Sequence, residues 1–170
     1  MSRVFMSRAF TFAAVLAATA LASSVATPAS AQLLQRKDLS YKIAVELAQE
    51  ALAECHRHNW PSSVVVVDRG GDTLVMLRDD NAGPHTMENA RRKAYTARTF
   101  KMTSEEFSQR MEKEPVRRQQ ATLPGIIGIP GGVPIKVGDD VIGGVGLSGS
   151  PGKDADCIKV GLDKVQQYLQ

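Results

Sequence analysis

The chain is poor in the residues that most often build metal centres. Its 170 residues include only two cysteines and three histidines. Cys55 and Cys157 are too far apart in the sequence to supply the close cysteine or histidine pairs of a zinc site. They either form a disulfide, which an oxidising compartment permits, or serve separately as small buried side chains. The sequence leaves both possibilities open.

Several catalytic signatures are also missing. The chain contains neither a glycine-rich phosphate loop nor the Gly-x-Ser-x-Gly turn of the α/β-hydrolases. No helix begins directly after the glycines at 143, 144 and 146, which argues against a dinucleotide-binding loop. The adjacent carboxylates Asp79-Asp80 and Asp139-Asp140 fall in turns, where neighbouring side chains splay apart. A hydrolase with two cooperating carboxylates therefore has little support.

Basic runs of the kind that bind nucleic acid are absent. The basic stretches Arg91-Arg92-Lys93 and Arg117-Arg118 are short and lie among acidic residues, which is typical of a solvated surface. We therefore expect no nucleic-acid partner.

The first 31 residues have the pattern of a signal peptide. Arg3 and Arg8 precede an apolar run over residues 10–22, and Ala29-Ser30-Ala31 is the kind of site that signal peptidase cleaves. The run is shorter than the ~20 residues that a membrane-spanning helix needs. Cleavage near Ala31 would leave residues 32–170, enough for one domain, and would lower the formal net charge from +3 to +1. The sequence thus predicts a periplasmic or secreted protein.

Periodicity predicts the elements of the first half. Apolar residues recur at helical spacing after Ser40, a suitable N-cap, and the helix should end near His58. Two strands should follow over residues 63–68 and 73–78, joined by a tight turn at Gly70-Gly71. A helix over residues 85–100 comes next, followed by a charged helix to about residue 117. The pair Thr103 and Glu106 forms a capping box at the start of this charged helix.

The last third is rich in glycine, isoleucine and valine. We predict three short strands over residues 126–129, 133–137 and 141–147, followed by a helix that begins at Asp154. Together with the hairpin, these strands would form a five-stranded, mostly antiparallel sheet. Helices on both of its faces make the predicted fold class α+β, in a single domain over residues 32–170.

The histidines are the first candidates for a metal ligand. His85 follows Gly83-Pro84 at the predicted start of a helix, where the positive helix end favours the neutral, metal-binding imidazole. An exposed loop histidine is an equal alternative. His56 and His58 lie two residues apart at a helix end and cannot share one helical face. A metal site that uses both would need a frayed end, and a pair of surface histidines is the simpler interpretation.

A lysine and a glycine-proline segment are the other candidates. Lys93 borders the close-packing alanine face of its helix, and a partly buried lysine needs an anionic partner. That partner is either a ligand carboxylate or an internal carboxylate such as Asp68 or Asp72. Gly131-Gly132 stands between two prolines, of which Pro134 is the second, and should expose backbone N–H groups and leave room for a flat ligand. A turn at a sheet edge is an equal alternative.

Several ordered motifs resemble one known family, the GlcG/HbpS-type heme-binding proteins, a group that includes the C-terminal domain of PduO-type proteins. The resemblance spans residues 40 to 168. It is carried by five segments, which are residues 64–72, 77–84, 90–97, 131–135 and 143–149.

This resemblance implies an α-β-α sandwich of profilin-like shape that assembles into homo-oligomers, commonly octamers. It also implies binding of heme, of the b type, with a role in sensing or buffering heme and iron and a membrane sensor protein as a possible partner. The axial ligand is not uniform in the family, so the iron is placed from this sequence alone, near His85 or near His56 or His58. The propionates would lie near Lys93, Arg91 or Arg92. Because aromatic residues make up only 5% of the chain, a shallow site between subunits is favoured over a deep pocket.

An enzyme is the alternative hypothesis. It would act on a small carboxylic acid or an oxidised metabolite, with Lys93 and Asp68 as the polar groups of its pocket. Such a lysine should have a lowered pKa and lie in a cleft. A Lys93 that is firmly paired inside the protein would count against this hypothesis.

Overall fold

A computed structural model describes residues 33–170, so the predicted signal peptide lies outside the described residues. Residues 36–170 form one compact unit. Its first helix, α1, covers Tyr41–Arg57 and begins as predicted, with the Ser40 hydroxyl accepting a hydrogen bond from the Ile43 N–H. Among the described residues, no helix is both long enough and apolar enough to cross a membrane.

A β-hairpin follows α1. Strand β1 covers Ser63–Val67 and is buried along its whole length, and strand β2 covers Thr73–Arg78. The two strands pair antiparallel, with Ser63 opposite Arg78. In the connecting turn, Gly71 has a φ of 90° and a Cβ there would lie 2.6 Å from the Tyr95 ring. This position therefore requires glycine for both conformation and space.

The second hairpin completes the sheet. Strands β3, Gly132–Val137, and β4, Asp140–Ser148, pair antiparallel, and β4 also pairs with β1. The order in the described sheet is β2-β1-β4-β3, which leaves β2 and β3 at its edges. The predicted α+β class is confirmed, but the sheet has four strands where five were predicted.

The missing strand is the segment over residues 126–129. Its polar backbone groups are satisfied by side chains: the Ile127 N–H donates to Thr96, while the Ile126 and Ile129 carbonyls accept from Arg92 and Ser104. Ile126 is buried against Phe107 and Met111. Because no strand ladder is needed to satisfy this backbone, the segment remains an irregular loop.

The remaining helices cover the sheet. Helix α2 spans Thr86–Phe100, helix α3 spans Ser104–Lys113 with the predicted capping box, and helix α4 spans Asp154–Val165. Helix α3 ends earlier than predicted, because Pro115 opens a 3₁₀ helix over Pro115–Thr122. A final 3₁₀ turn covers Gln166–Tyr168.

The layers are α-β-α. Helices α1 and α4 pack together on one face of the sheet and enclose the larger core cluster, whereas α2 packs on the other face. Glycines on β4 allow α2 to approach closely, since a Cβ at Gly146 would lie 2.1 Å from the Ala90 carbonyl oxygen. A disulfide joins Cys55 of α1 to Cys157 of α4, and both cysteines are fully buried. The sequence left this pairing open.

Candidate functional site

One histidine is positioned by a carboxylate at the end of the sheet where β1 begins and β2 ends. His56 lies in the last turn of α1, and its Nδ1 is 2.9 Å from Oδ2 of Asp79, the residue after β2. An ionised carboxylate only accepts hydrogen bonds, so Nδ1 carries the proton and donates. In the neutral imidazole this is the tautomer in which the Nε2 lone pair is open. The His56 side chain is 75% exposed, so Nε2 is within reach of a ligand.

The charge of Asp79 is favoured by its surroundings. The hydrogen bond from His56 lowers the pKa of Asp79, and a second hydrogen bond, from the Asp80 N–H to Oδ1, acts in the same direction. Its side chain is 17% exposed. Asp79 is therefore an anchored anion that orients the imidazole.

A groove with a volume of about 460 Å³ lies beside this pair, between α1 and β2. Its apolar lining is Leu52, Ala53 and Leu77. Gln49, His56, Arg57 and Asp79 supply its polar groups. A smaller pocket of about 140 Å³ also contains His56 and Asp79, and extends to Trp60 and Asn81. The histidine thus borders an apolar surface that is open to a flat ligand.

The neighbouring His58 is held differently. Its Nε2 lies 3.0 Å from Glu54 Oε1, and its ring stacks on Trp60 with centroids 4.6 Å apart. Arg57 also binds Glu54 and contacts Glu50 at 3.2 Å. Hydrogen bonds from Arg57 and His58 lower the pKa of Glu54. His58 is therefore part of a salt-bridged helix end, and it lies apart from the lining of the groove.

His85 is the N-cap residue of α2, at the helix start where the sequence placed it. It is exposed and forms no capping hydrogen bond, and its ring lies over Gly83. The hydrogen bond of 2.7 Å between Ser63 and Thr86 places this helix start at the same end of the sheet as His56. The three histidines thus share one end of the molecule, but only His56 is joined to a carboxylate beside the groove.

Lys93 has an internal partner. It is 2% exposed, and its Nζ donates to Asp154 Oδ2 at 2.6 Å and to the Leu147 carbonyl at 2.9 Å. The other oxygen of Asp154 accepts from the Ser150 hydroxyl at 2.6 Å. An internal ion pair was one of the two sequence-based alternatives, but its proposed partners Asp68 and Asp72 were wrong. Asp68 instead accepts from the backbone N–H of Asp72 in the hairpin turn.

Arg91 and Arg92 lie on α2, which covers the face of the sheet opposite α1. Arg91 donates two hydrogen bonds of 2.8 Å to Glu88, and Arg92 donates to the Ile126 carbonyl at 2.6 Å. The hydrogen bond to Glu88 raises the pKa of Arg91. Within one protomer the structure therefore does not bring these arginines, or Lys93, to the groove of His56.

The glycine-proline segment is packed against the protein itself. Gly132 donates its N–H to the Ser104 hydroxyl at 2.8 Å, and Gly131 accepts from the Leu147 N–H at 2.9 Å. A Cβ at Gly131 would lie 2.6 Å from Asp154 Cβ. The expected room for a flat ligand at these two glycines is therefore filled, and the prediction of free N–H groups fails for Gly132. Pro134 borders a separate cleft.

Sequence reasoning missed three contact partners. They are Asp79 for His56, Asp154 for Lys93, and Ser150 for Asp154. Asp79 is 23 residues from His56, and Asp154 is 61 residues from Lys93. Pairing over such distances depends on strand register and on the docking of α4, which local patterns do not encode. The expected partial burial of Lys93 was the one signal in the sequence that a partner existed.

Comparison with known proteins places the chain in a family. A family model described as haem degrading protein HbpS-like matches residues 39–163. The chain belongs to the HbpS-like family. This HbpS-like chain is 30% identical over 110 residues to protein GlcG of Escherichia coli K12, a match that covers 65% of this chain and 81% of GlcG.

Solved structures agree with the family. A double mutant of Streptomyces reticuli HbpS superposes with a TM-score of 0.74 at 32% identity, covering 84% of this HbpS-like chain and 96% of that protein. A crystal structure of a PduOC–heme complex superposes with a TM-score of 0.67 at 24% identity, covering 74% and 94% of the two chains. The predicted family resemblance and the α-β-α arrangement are thus confirmed.

Proposed function

We propose that this HbpS-like protein binds heme in the groove between α1 and β2, with His56 as the ligand to the iron. The observation that carries the proposal is the His56–Asp79 pair, which presents an open Nε2 beside an apolar surface. A histidine that ligates a metal commonly donates its other N–H to a carboxylate, which orients the ring and raises its basicity. The PduOC–heme complex among the relatives of this fold supports the choice of ligand.

The groove residues fit the chemistry of heme. Leu52 and Leu77 offer apolar contact to the porphyrin. The Arg57 guanidinium on the rim binds Glu50 and Glu54, but its side chain is 53% exposed, and it would also pair with a propionate. Heme would supply a redox-active iron, and Asp79 would hold the His56 imidazole in one tautomer. With both cysteines in the disulfide, no described thiol is available for covalent attachment, which favours heme of the b type.

We assign the iron to His56 in preference to His85 and His58. His85 lacks a carboxylate partner among the residues that the structure describes, and His58 is bound to Glu54 and stacked on Trp60. Arg91 and Arg92 would reach a propionate only from a second protomer, and Lys93 is buried in its ion pair with Asp154. Because Lys93 is buried in an ion pair, the alternative of an enzyme that uses it to bind a small carboxylate loses its basis.

The test is a titration of purified residues 32–170 with hemin, followed by the Soret band. We expect a saturable shift at micromolar hemin that His56→Ala weakens at least about tenfold, since the replacement removes an iron ligand. His58→Ala and His85→Ala are matched controls that should bind as the unmodified protein does. If no shift occurs, or if His85→Ala abolishes it while His56→Ala does not, the assignment is wrong.

We further propose that the protein works in the periplasm or outside the cell, where it buffers or senses heme and iron. The signal-like residues 1–31 support export, as does the buried disulfide, because such bonds persist in oxidising compartments. Periplasmic fractionation followed by N-terminal sequencing should find a chain that begins at Gln32. A full-length chain retained in the cytoplasm would refute export.

Assembly into an octamer and contact with a membrane sensor remain proposals that follow from the family resemblance. Light scattering of the purified protein tests the first of them. Crosslinking in the exporting cell tests the second.

A further inference from the structure

A second cleft lies at the opposite edge of the sheet from the His56 groove. It has a volume of about 660 Å³, within the range of small-ligand pockets. The end of α2, the first turns of α3 and the edge strand β3 enclose it. Its lining is Lys101, Met102, Thr103, Glu106, Arg110, Val133, Pro134 and Lys136.

The charge of this cleft is positive. Lys101, Arg110 and Lys136 supply three cations, against the single carboxylate of Glu106. That carboxylate already accepts from the Thr103 N–H at 2.7 Å and from the Thr103 hydroxyl at 3.0 Å in the capping box. Within the part of the chain that the structure describes, Lys101 and Lys136 have no ion-pair partner. Two ammonium groups are therefore available to an anion.

The rest of the lining is apolar and unsuited to a peptide. Met102, Val133 and Pro134 form a hydrophobic surface beside the cations. Although β3 is an edge strand, Pro134 has no N–H to donate, and proline on an edge discourages the addition of another strand. A small molecule fits these features better than an extended chain.

Lys101 also has an unusual backbone conformation, which is independent of its charge. This residue directly follows α2 in the left-handed conformation, with φ 57° and ψ 30°. Glycine is the favoured residue at such a helix end, because a side chain is strained there. Lys101 thus combines a strained backbone with a long cationic side chain that borders the cleft.

We infer that this cleft binds a small organic anion with an apolar body, such as a medium-chain carboxylate. The ammonium groups of Lys101 and Lys136 pair with the carboxylate, and Met102 and Val133 contact the hydrocarbon. The site is separate from the proposed heme groove, since β2 and β3 are the two opposite edges of the described sheet.

Octanoate is the probe that tests this site, by displacement of the fluorescent dye anilinonaphthalene sulfonate and by calorimetry. Octanoate should bind saturably, whereas acetate, which lacks the apolar body, and octanol, which lacks the charge, should bind much more weakly. The K101Q/K136Q variant should weaken octanoate binding about tenfold, the combined effect of two exposed ion pairs. The K42Q/K164Q variant carries the same loss of charge elsewhere and should bind as the unmodified protein does.

The Lys101→Gly variant distinguishes a loss of octanoate binding from a loss of stability. It should weaken octanoate binding while the melting temperature is unchanged or raised, because glycine relieves the left-handed strain. His56→Ala should leave octanoate binding intact, which distinguishes this site from the heme groove. Equal effects of the two double variants, or acetate binding as tightly as octanoate, would overturn the inference.

Discussion

At the scale of single residues, the decisive contact is the one between His56 and Asp79. Each residue alone looked unremarkable in the sequence: His56 was one of two histidines at a helix end, and Asp79 belonged to an adjacent acidic pair in a loop. The hairpin β1-β2 turns the chain back so that Asp79 follows β2 beside the end of α1. The resulting hydrogen bond converts a surface histidine into an oriented potential ligand.

Replacing Asp79 by asparagine should therefore weaken hemin binding about 10- to 100-fold, as is typical when the partner of a metal-bound histidine is changed. The substitution keeps the shape of the side chain but removes the charge, so the preferred tautomer of His56 is no longer enforced. The measurement is the Soret titration at neutral pH. Asp80→Asn, at the neighbouring exposed position, is the matched control and should have no effect. An unchanged affinity in Asp79→Asn would show that the pair does not tune the ligand.

The pKa of Asp79 adds a pH dependence to the same contact. Because that pKa is lower in the folded protein than in the unfolded chain, the contact stabilises the fold above the ordinary value of about 4. This stabilisation is lost as the pH falls through the lowered value. The difference in unfolding free energy between the unmodified protein and Asp79→Asn should thus be present at neutral pH and shrink below pH ~4, as measured by urea denaturation. A difference that does not depend on pH would contradict this.

At the scale of elements, a buried ion pair joins α2 to α4. Lys93 reaches from α2 to Asp154 at the start of α4, and Ser150 and the Leu147 carbonyl complete the hydrogen bonding. The close packing of Gly131 against Asp154 fixes the start of β3 to the same cluster. Lys93, for which the sequence left both a ligand and an internal partner open, therefore ties two helices and an edge strand together.

Removing one partner of this pair should be costly. Asp154→Ala leaves a buried ammonium without its counter-charge and should lower the free energy of unfolding by about 3–5 kcal/mol, as is typical for a broken buried pair. Replacing both partners, as Lys93→Met with Asp154→Leu, should restore most of that loss, because no unpaired charge remains. Urea denaturation of the single and double variants measures the difference. If the double variant is as unstable as the single one, the cost comes from packing and not from charge.

The elements also show what local sequence encodes. Helices α1 and α2 and the hairpins β1-β2 and β3-β4 followed from periodicity, caps and turn residues, because these signals act over a few residues. The segment over residues 126–129 had the composition of a strand, but side chains from α2 and α3 satisfy its backbone. The partners of His56 and Lys93 could not be predicted either, since both contacts depend on tertiary docking.

At the scale of the whole molecule, a covalent bond joins the two helices that cover one face of the sheet. The sequence separation between Cys55 and Cys157 is 102 residues, so their disulfide closes a loop that contains the entire sheet. Long closed loops restrict the unfolded chain most strongly in the chain-entropy account.

A Cys55→Ala/Cys157→Ala variant should therefore lose roughly 2–5 kcal/mol of unfolding free energy. Where it remains folded, it should keep its hemin affinity, because His56 retains its hydrogen bond to Asp79. Urea denaturation and the Soret titration together measure both quantities. A folded variant that has lost hemin binding would mean that the disulfide also positions the end of α1.

The pairing of Cys55 with Cys157 also has a consequence for export, because the two cysteines lie near opposite ends of the folded chain. If the chain is exported unfolded from its N-terminus, as proposed above, α1 arrives long before α4. Its apolar face, which the final helix covers, stays without its partner until almost all of the other elements have crossed. During this interval Cys55 is an unpaired thiol, open to premature crosslinking with other chains. In that case the disulfide can form only after α4 has crossed, so the yield of folded protein would depend on the thiol oxidases of the compartment that receives it.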